Sequence, residues 1–198
     1  MASGRELGPL EGLQGTWEGD DGLDVAFSNV RGEVVDTSFR ERTTFNPFGP
    51  VKNGRQCLYG LDYRTAAWRA GEENPFHTEV GYWLWDADDG QVMRCFMVPR
   101  GTLVLAGGSA GPDDPVLRMA AEIGSETYGI LSNRFLAAGA RTVHYEVAVT
   151  VGDGTFSYDE RTTIEHARLS ETLVHTDRNT LRRVEDPGAY GEVSLHRS

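Results

Sequence analysis

Residues Phe76–Gly101 read FHTEVGYWLWDADDGQVMRCFMVPRG. The spacing predicts a β-hairpin, with Phe76–Asp86 and Gln91–Pro99 as its strands and Asp88-Asp89-Gly90 as its turn, because Gly90 can take a positive φ without steric cost. Strand side chains alternate between faces, so Phe76, Thr78, Val80, Tyr82 and Leu84 share one face and His77, Glu79, Gly81, Trp83 and Trp85 the other. Both faces are largely apolar, which predicts protein or ligand against each. What lies against the inner face, side chain or ligand, is the functional question for the whole chain.

Working outward, the same reading repeats. Leu13–Gly19 followed by Leu23–Phe27 is a first strand with a kink at Gly19–Gly22. Glu33–Phe45 is a second, ended by an Asn46-Pro47 turn, and Gln56–Trp68 is a third. After the hairpin come Thr102–Gly107 and Val116–Ile123. Gly124–Ala140 breaks the pattern and reads as a loop with one short helical turn, a lid or cap. Arg141–Val151 alternates most clearly, with Val143, Tyr145, Val147, Val149 and Val151 on one face and Thr142, His144, Glu146, Ala148 and Thr150 on the other. Thr155–His166 and Leu173–Val184 complete the set. About ten strands at regular spacing, with turn signals between them and almost no helix, predict an all-β fold whose sheet closes into a ten-stranded antiparallel up-and-down barrel of the lipocalin type, capped at one end by a short helical turn near Pro9–Leu13. Such a barrel is wide enough for one small ligand. The organisation is a lead-in over 1–12, one barrel domain over 13–184 and a flexible tail over 185–198.

Composition bounds the function. The chain has 198 residues, 19 Lys and Arg against 30 Asp and Glu, and a formal net charge of −11. Lys52 is the only lysine, and no basic stripe carries interleaved aromatics, so nucleic acid is excluded as a partner class. No apolar run reaches the roughly 20 residues of a membrane helix, and the start MASGRELGPLEGL has neither the basic end nor the apolar stretch of a signal peptide. A cytoplasmic protein is the expectation, and a homodimer is compatible with it. Cys57 and Cys95 form no CxxC pair and read as buried thiols.

Several short stretches, taken in order, resemble the nitrobindins and the wider fatty-acid-binding-protein-like (calycin) barrels. Leu13–Gly19, LQGTWEG, is similar to their GxWxG start, carried here by Gly15, Trp17 and Gly19. The run PFHTEVGYWLWD with VMRCFMVPRG, then GSETYGILSNRFL and HTDRNTLRRV, resembles the bacterial, ferric-nitrobindin-like branch. The resemblance covers most of residues 13–184. It implies a ten-stranded barrel with an internal cavity, which in nitrobindins holds ferric haem b through one histidine near the C-terminus and reacts with nitric oxide and peroxynitrite. Two positions depart from the pattern. Asp21 stands where the fuller GxWxGxG motif has its last glycine, and the haem-ligand position falls on His175 or on Thr176 according to the alignment. A shift of one residue in a strand moves the side chain to the opposite face, so His175 either points at the cavity or does not.

The candidate residues follow from these readings. His175 as a haem-iron ligand needs a free Nε2, and the polar neighbours Asp177, Arg178 and Asn179 speak against an iron ligand there. His77, His144, His166 and His196 have no metal-ligand spacing to one another, and no zinc motif occurs. Trp17, between its glycines, is read as closing one barrel end. Tyr82, Trp83, Trp85 and Phe96 are the bulkiest candidates to line or fill a cavity. Arg94 alternates with Val92, Phe96 and Val98, so it is either inside and paired or outside and solvated; inside, its planar fork suits an acid head-group. No nucleophile elbow or phosphate-binding loop occurs, so no catalytic residue is assigned. Three functions remain. The favoured one is a barrel that binds a small hydrophobic ligand, fatty-acid-like or haem-like, without an iron ligand. The second is a ferric haem protein using His175, with peroxynitrite isomerase or nitric-oxide-binding activity. The third is a barrel filled by its own side chains that binds a partner at its surface.

Overall fold

The computed structural model describes residues 6–152 and 154–186. Eleven strands form one closed barrel: β1 (Gly15–Ser28), β2 (Glu33–Asn53), β3 (Gln56–Arg69), β4 (His77–Asp86), β5 (Gln91–Val98), β6 (Thr102–Ser109), β7 (Val116–Ile123), β8 (Gly129–Ser132), β9 (Ala140–Val151), β10 (Thr155–His166) and β11 (Leu173–Glu185). Their order is β1-β11-β10-β9-β7-β8-β6-β5-β4-β3-β2, with β2 returning to β1. Closure gives each strand a neighbour on both sides, and β2 runs past the end of β1 only beyond Phe45.

The strand count exceeds the expected ten by one, because β8 lies inside the segment read as a loop. β6 and β7 pair directly only at Gly107↔Ala120. Beyond that rung they diverge, and β8 fills the gap, antiparallel to β6 through Val104↔Ile130 and parallel to β7 through Ile123↔Ile130. Four residues are too few to show alternation. The helical turn expected in the same segment is α1 (Arg134–Gly139), capped by the Asn133 side chain, which accepts from the Leu136 amide.

A second difference concerns β2, which runs through the expected Asn46-Pro47 turn to Asn53. Pro47 stays in register opposite Leu61, and the strand bulges between Phe48 and Val51. The bulge takes in Pro50, and Pro47 lies past the end of the β1 pairing at Phe45; bulges and sheet edges are the places that tolerate proline. The hairpin itself pairs Asp86 with Gln91, and Gly90 has φ 59° at the turn. Gly81 permits the approach of β5 to β4, since a Cβ there would lie 1.9 Å from the Cys95 carbonyl oxygen.

One barrel end is plugged by the 3-10 turn Gly8–Leu13. Leu7, Leu10 and Leu13 are buried in the same core as Trp17, Phe45, Trp83 and Phe156, so residues 7–12, read as lead-in, pack inside the barrel end. The tail read as starting at 185 begins with the last residue of β11, and residues 187–198 lie outside the described residues. The hairpin's outer face differs from the expected cover on both sides. Val80, Tyr82 and Met97 are 42%, 51% and 46% exposed. They border an outer groove of about 840 Å³ that also involves Trp68, Cys95 and Leu103.

Candidate functional site

At the end away from the plug, strand alternation turns charged and hydroxyl side chains inward. Glu41 follows from its inward neighbour Phe45 on β2, Glu79 from Trp83 on β4, and Arg94 from Phe96 on β5. From β10 and β11 come Tyr158, Glu160 and Asn179; all are buried or nearly so. Burying such groups costs several kcal/mol each unless every one is paired, and here they pair with one another.

Arg94 is the hub. Its Nη2 lies 2.6 Å from Glu79 Oε2 and its Nη1 2.7 Å from Glu160 Oε2. Its Nε donates to Tyr63 Oη at 3.2 Å, and Nη1 also donates to Tyr145. The two tyrosines pass the contact on, Tyr63 to Glu79 at 2.9 Å and Tyr145 to Glu160 at 2.8 Å. Burial opposes the charge on Glu79, but Arg94, with hydrogen bonds from His77 and Tyr63, outweighs it and holds the carboxyl at about 2. At Glu160 burial prevails over the shared guanidinium and raises the carboxyl above its ordinary value. Glu41 forms a second knot. Thr65, Thr43, Tyr158 and Asn179 all donate to its carboxylate, at 2.8, 3.1, 2.8 and 3.0 Å.

Farther from the plug stands His175. It pairs with Thr162 on β10, and Thr162 pairs with the buried Tyr145 on β9, so His175 faces inward and Thr176 outward. Its Nε2 lies 2.6 Å from Asp24 Oδ1 and 3.0 Å from Asp177 Oδ2. Burial disfavours the imidazolium, but the two carboxylates override it and push the imidazole up to about 10. On the barrel wall nearby, His77 meets Glu79 at 3.1 Å.

The other expected residues fall into place around this layer. Trp17 is fully buried, donates from Nε1 to the Leu13 carbonyl at 2.7 Å and packs edge-on against Phe156, so it sits with the plug. Gly15 begins β1 beside it, and a Cβ on Gly19 would meet the Thr180 carbonyl oxygen at 2.6 Å. Trp83, Trp85 and Phe96 are buried in the core, while Tyr82 lies outside against Phe48. His144 sits on the outer side with Glu122, His166 meets Asn29 at 3.3 Å, and His196 lies outside the described residues. Sequence reasoning singled out neither Asp24 nor Glu41, Glu79 or Glu160. Glu79 carried a signal, since alternation puts it on the face of Trp83 and Trp85. Asp24 carried none, because it meets His175 across the β1–β11 seam, 151 residues away.

A histidine-ligated haem needs a free imidazole nitrogen aimed at the iron. Nε2 of His175 is engaged by Asp24 and Asp177, and haem would bring two more carboxylates to a layer that already contains Glu41, Glu79 and Glu160. Cys57 and Cys95 are both half-buried free thiols. Among the described residues no helix is long and apolar enough to cross a membrane.

Comparison with known proteins bears on this arrangement. The crystal structure of Rv2717c from M. tuberculosis is similar in fold, with a TM-score of 0.62 at 16% identity over 88% of this chain and 96% of that one. No curated protein matches the chain. The description "THAP4-like, heme-binding beta-barrel domain" matches residues 6–183, nearly the whole barrel with its plug. The chain thus belongs to the THAP4-like haem-binding β-barrel family, the nitrobindin group that its short motifs resemble.

Proposed function

We propose that this chain is a small-molecule-binding barrel that takes up an amphipathic ligand at the end away from its plug without ligating haem iron through His175. The observation that carries this reading is the state of Arg94, whose guanidinium is already shared by Glu79 and Glu160. An acid head-group therefore meets no free cation there and does meet the carboxylates of Glu41, Glu79 and Glu160. A head that donates hydrogen bonds or carries positive charge is complementary to that layer, and the aromatic side chains around it suit an apolar body. The hydrophobic ligand expected from the sequence thus acquires a head-group preference, for amine over acid.

Titration with an alkyl amine and a fatty acid of equal chain length, followed by calorimetry, tests the reading. Tighter binding of the amine is the expected result, and equal or reversed affinities would overturn it. A second reading, the ferric haem protein, draws on the family and on the inward direction of His175. Adding ferric haem separates the two. A Soret band that is lost in His175→Ala would establish the haem reading, and a spectrum unchanged by that substitution supports ours.

A further inference from the structure

We propose that Asp24, His175 and Asp177 form a binding site for a divalent first-row transition metal at the barrel end away from the plug. The three side chains come from two adjoining strands, β1 and β11, and one ligand atom from each lies within 4.8 Å of the others. Bonds of about 2.1 Å from nitrogen and oxygen place neighbouring donor atoms about 3.0–3.4 Å apart in octahedral or tetrahedral sites. The two measured separations from His175 Nε2, 2.6 Å to Asp24 and 3.0 Å to Asp177, lie close to that range. A shift of a few tenths of an ångström in side chains opens the triangle to hold an ion.

The manner of approach is the second observation. Both carboxylates address the same nitrogen, Nε2, which has a single hydrogen to give. An imidazole serving only as an ion-pair partner gains more by giving each nitrogen its own acceptor. This protein contains that arrangement too. His144 meets Glu122 through Nδ1 at 2.6 Å and Glu146 through Nε2 at 3.5 Å. At His175 both carboxylates instead crowd the one nitrogen, which gathers the three donor atoms into a single cluster.

The chemistry of the set fits a divalent ion. Two carboxylates balance its charge, and one imidazole shifts preference from calcium or magnesium towards zinc, manganese or iron. The metal replaces the Nε2 proton, which passes to solvent. The Asp24 side chain is 8% exposed while those of His175 and Asp177 are 29% and 23% exposed, so the site is anchored inside yet reachable from outside. Three protein ligands leave at least one position for water or a bound molecule, the pattern of reactive rather than purely structural sites. The site does not depend on which organic ligand the barrel holds, and its test reads metal alone.

The full chain, stripped with chelator, is titrated with Zn²⁺ against a chromophoric competitor, alongside His175→Gln, Asp177→Asn and the control His144→Gln. Thermal melts establish that each variant is folded. The expected result is one equivalent of tight zinc, weakened at least about tenfold in either site variant and unchanged in the control. The Asp177 side chain is less deeply buried than that of Asp24, so its variant carries the test should His175→Gln fold poorly. Absence of a stoichiometric site in the parent chain would overturn the proposal, as would affinity that survives in the folded site variants.

Discussion

Arg94 Nη2 lies 2.6 Å from Glu79 Oε2, between neighbouring strands inside the barrel, with both side chains at most 10% exposed. A charge pair this deep stabilises less than its contact distance suggests, because both ions lose their hydration. Its integrity matters more than its net strength. Removing one partner leaves the other buried and uncompensated, and Arg94 has two such partners, Glu79 and Glu160.

Arg94→Met keeps the stem of the side chain and removes the charge. The expected cost is about 3–5 kcal/mol, read from the midpoint of chemical denaturation. Adding Glu79→Gln and Glu160→Gln to Arg94→Met is expected to recover much of that loss, since no carboxylate is then stranded. A triple variant no more stable than the single one would show that the cost comes from packing around the guanidinium.

The same pair sets a pH dependence. Glu79 titrates at about 2 in the folded barrel against 4.5 as its ordinary value. A depressed carboxyl contributes stability that is present above the unfolded value and lost as pH falls through the folded one. Denaturant midpoints of the parent chain are therefore expected to fall between about pH 4.5 and pH 2, with a shallower slope in Glu79→Gln. Glu160 runs the other way. Its raised carboxyl favours the folded state at low pH, a contribution lost as pH rises above the unfolded value. Glu160→Gln is expected to remove a gain in stability on acidification from neutral pH to about 4.5 while leaving the fall below 4.5 unchanged, and parallel curves in all three proteins would contradict this account.

Much of this architecture was legible in the chain because alternation is a local property. The hairpin, its Asp88-Asp89-Gly90 turn and the strand spacing follow from period two and turn chemistry, which also put Trp83 with Trp85 and Arg94 with Phe96 but do not say which face is the inner one. β8 was not legible, since its four residues join the sheet only because β6 and β7 diverge. Pro47 misled for a related reason. It marks a turn in isolation, but it lies past Phe45, where β2 no longer has β1 beside it, an edge position that tolerates proline. The site was half legible. Period two puts Glu79 on the face of Trp83 and Trp85, but nothing local shows that Tyr63, Tyr145 and Glu160 meet the same guanidinium from three other strands. Nor does it join Asp24 to His175, which depends on which strand closes the barrel.

The hairpin supplies a direct test of the inner and outer faces. Trp83 and Tyr82 are sequence neighbours on opposite sides of one strand, 4% and 51% exposed. Trp83 packs against Phe45 and Tyr63, and the Arg94 guanidinium stands 5.4 Å from its ring. Trp83→Ala is expected to cost about 3–5 kcal/mol, whereas Tyr82→Ala gives up mainly its edge contact with Phe48 and is expected to cost less than about 1 kcal/mol. Trp83→Phe divides the indole's contribution. The Trp83 Nε1 is buried with no hydrogen-bond partner among the described residues, and an unsatisfied donor of this kind costs about 1–3 kcal/mol. Phenylalanine keeps most of the packing and removes that donor, so its loss of stability is expected to lie well below that of alanine. Chemical denaturation of the three variants measures all of this. A Tyr82→Ala chain as unstable as Trp83→Ala would reverse the assignment of the two faces.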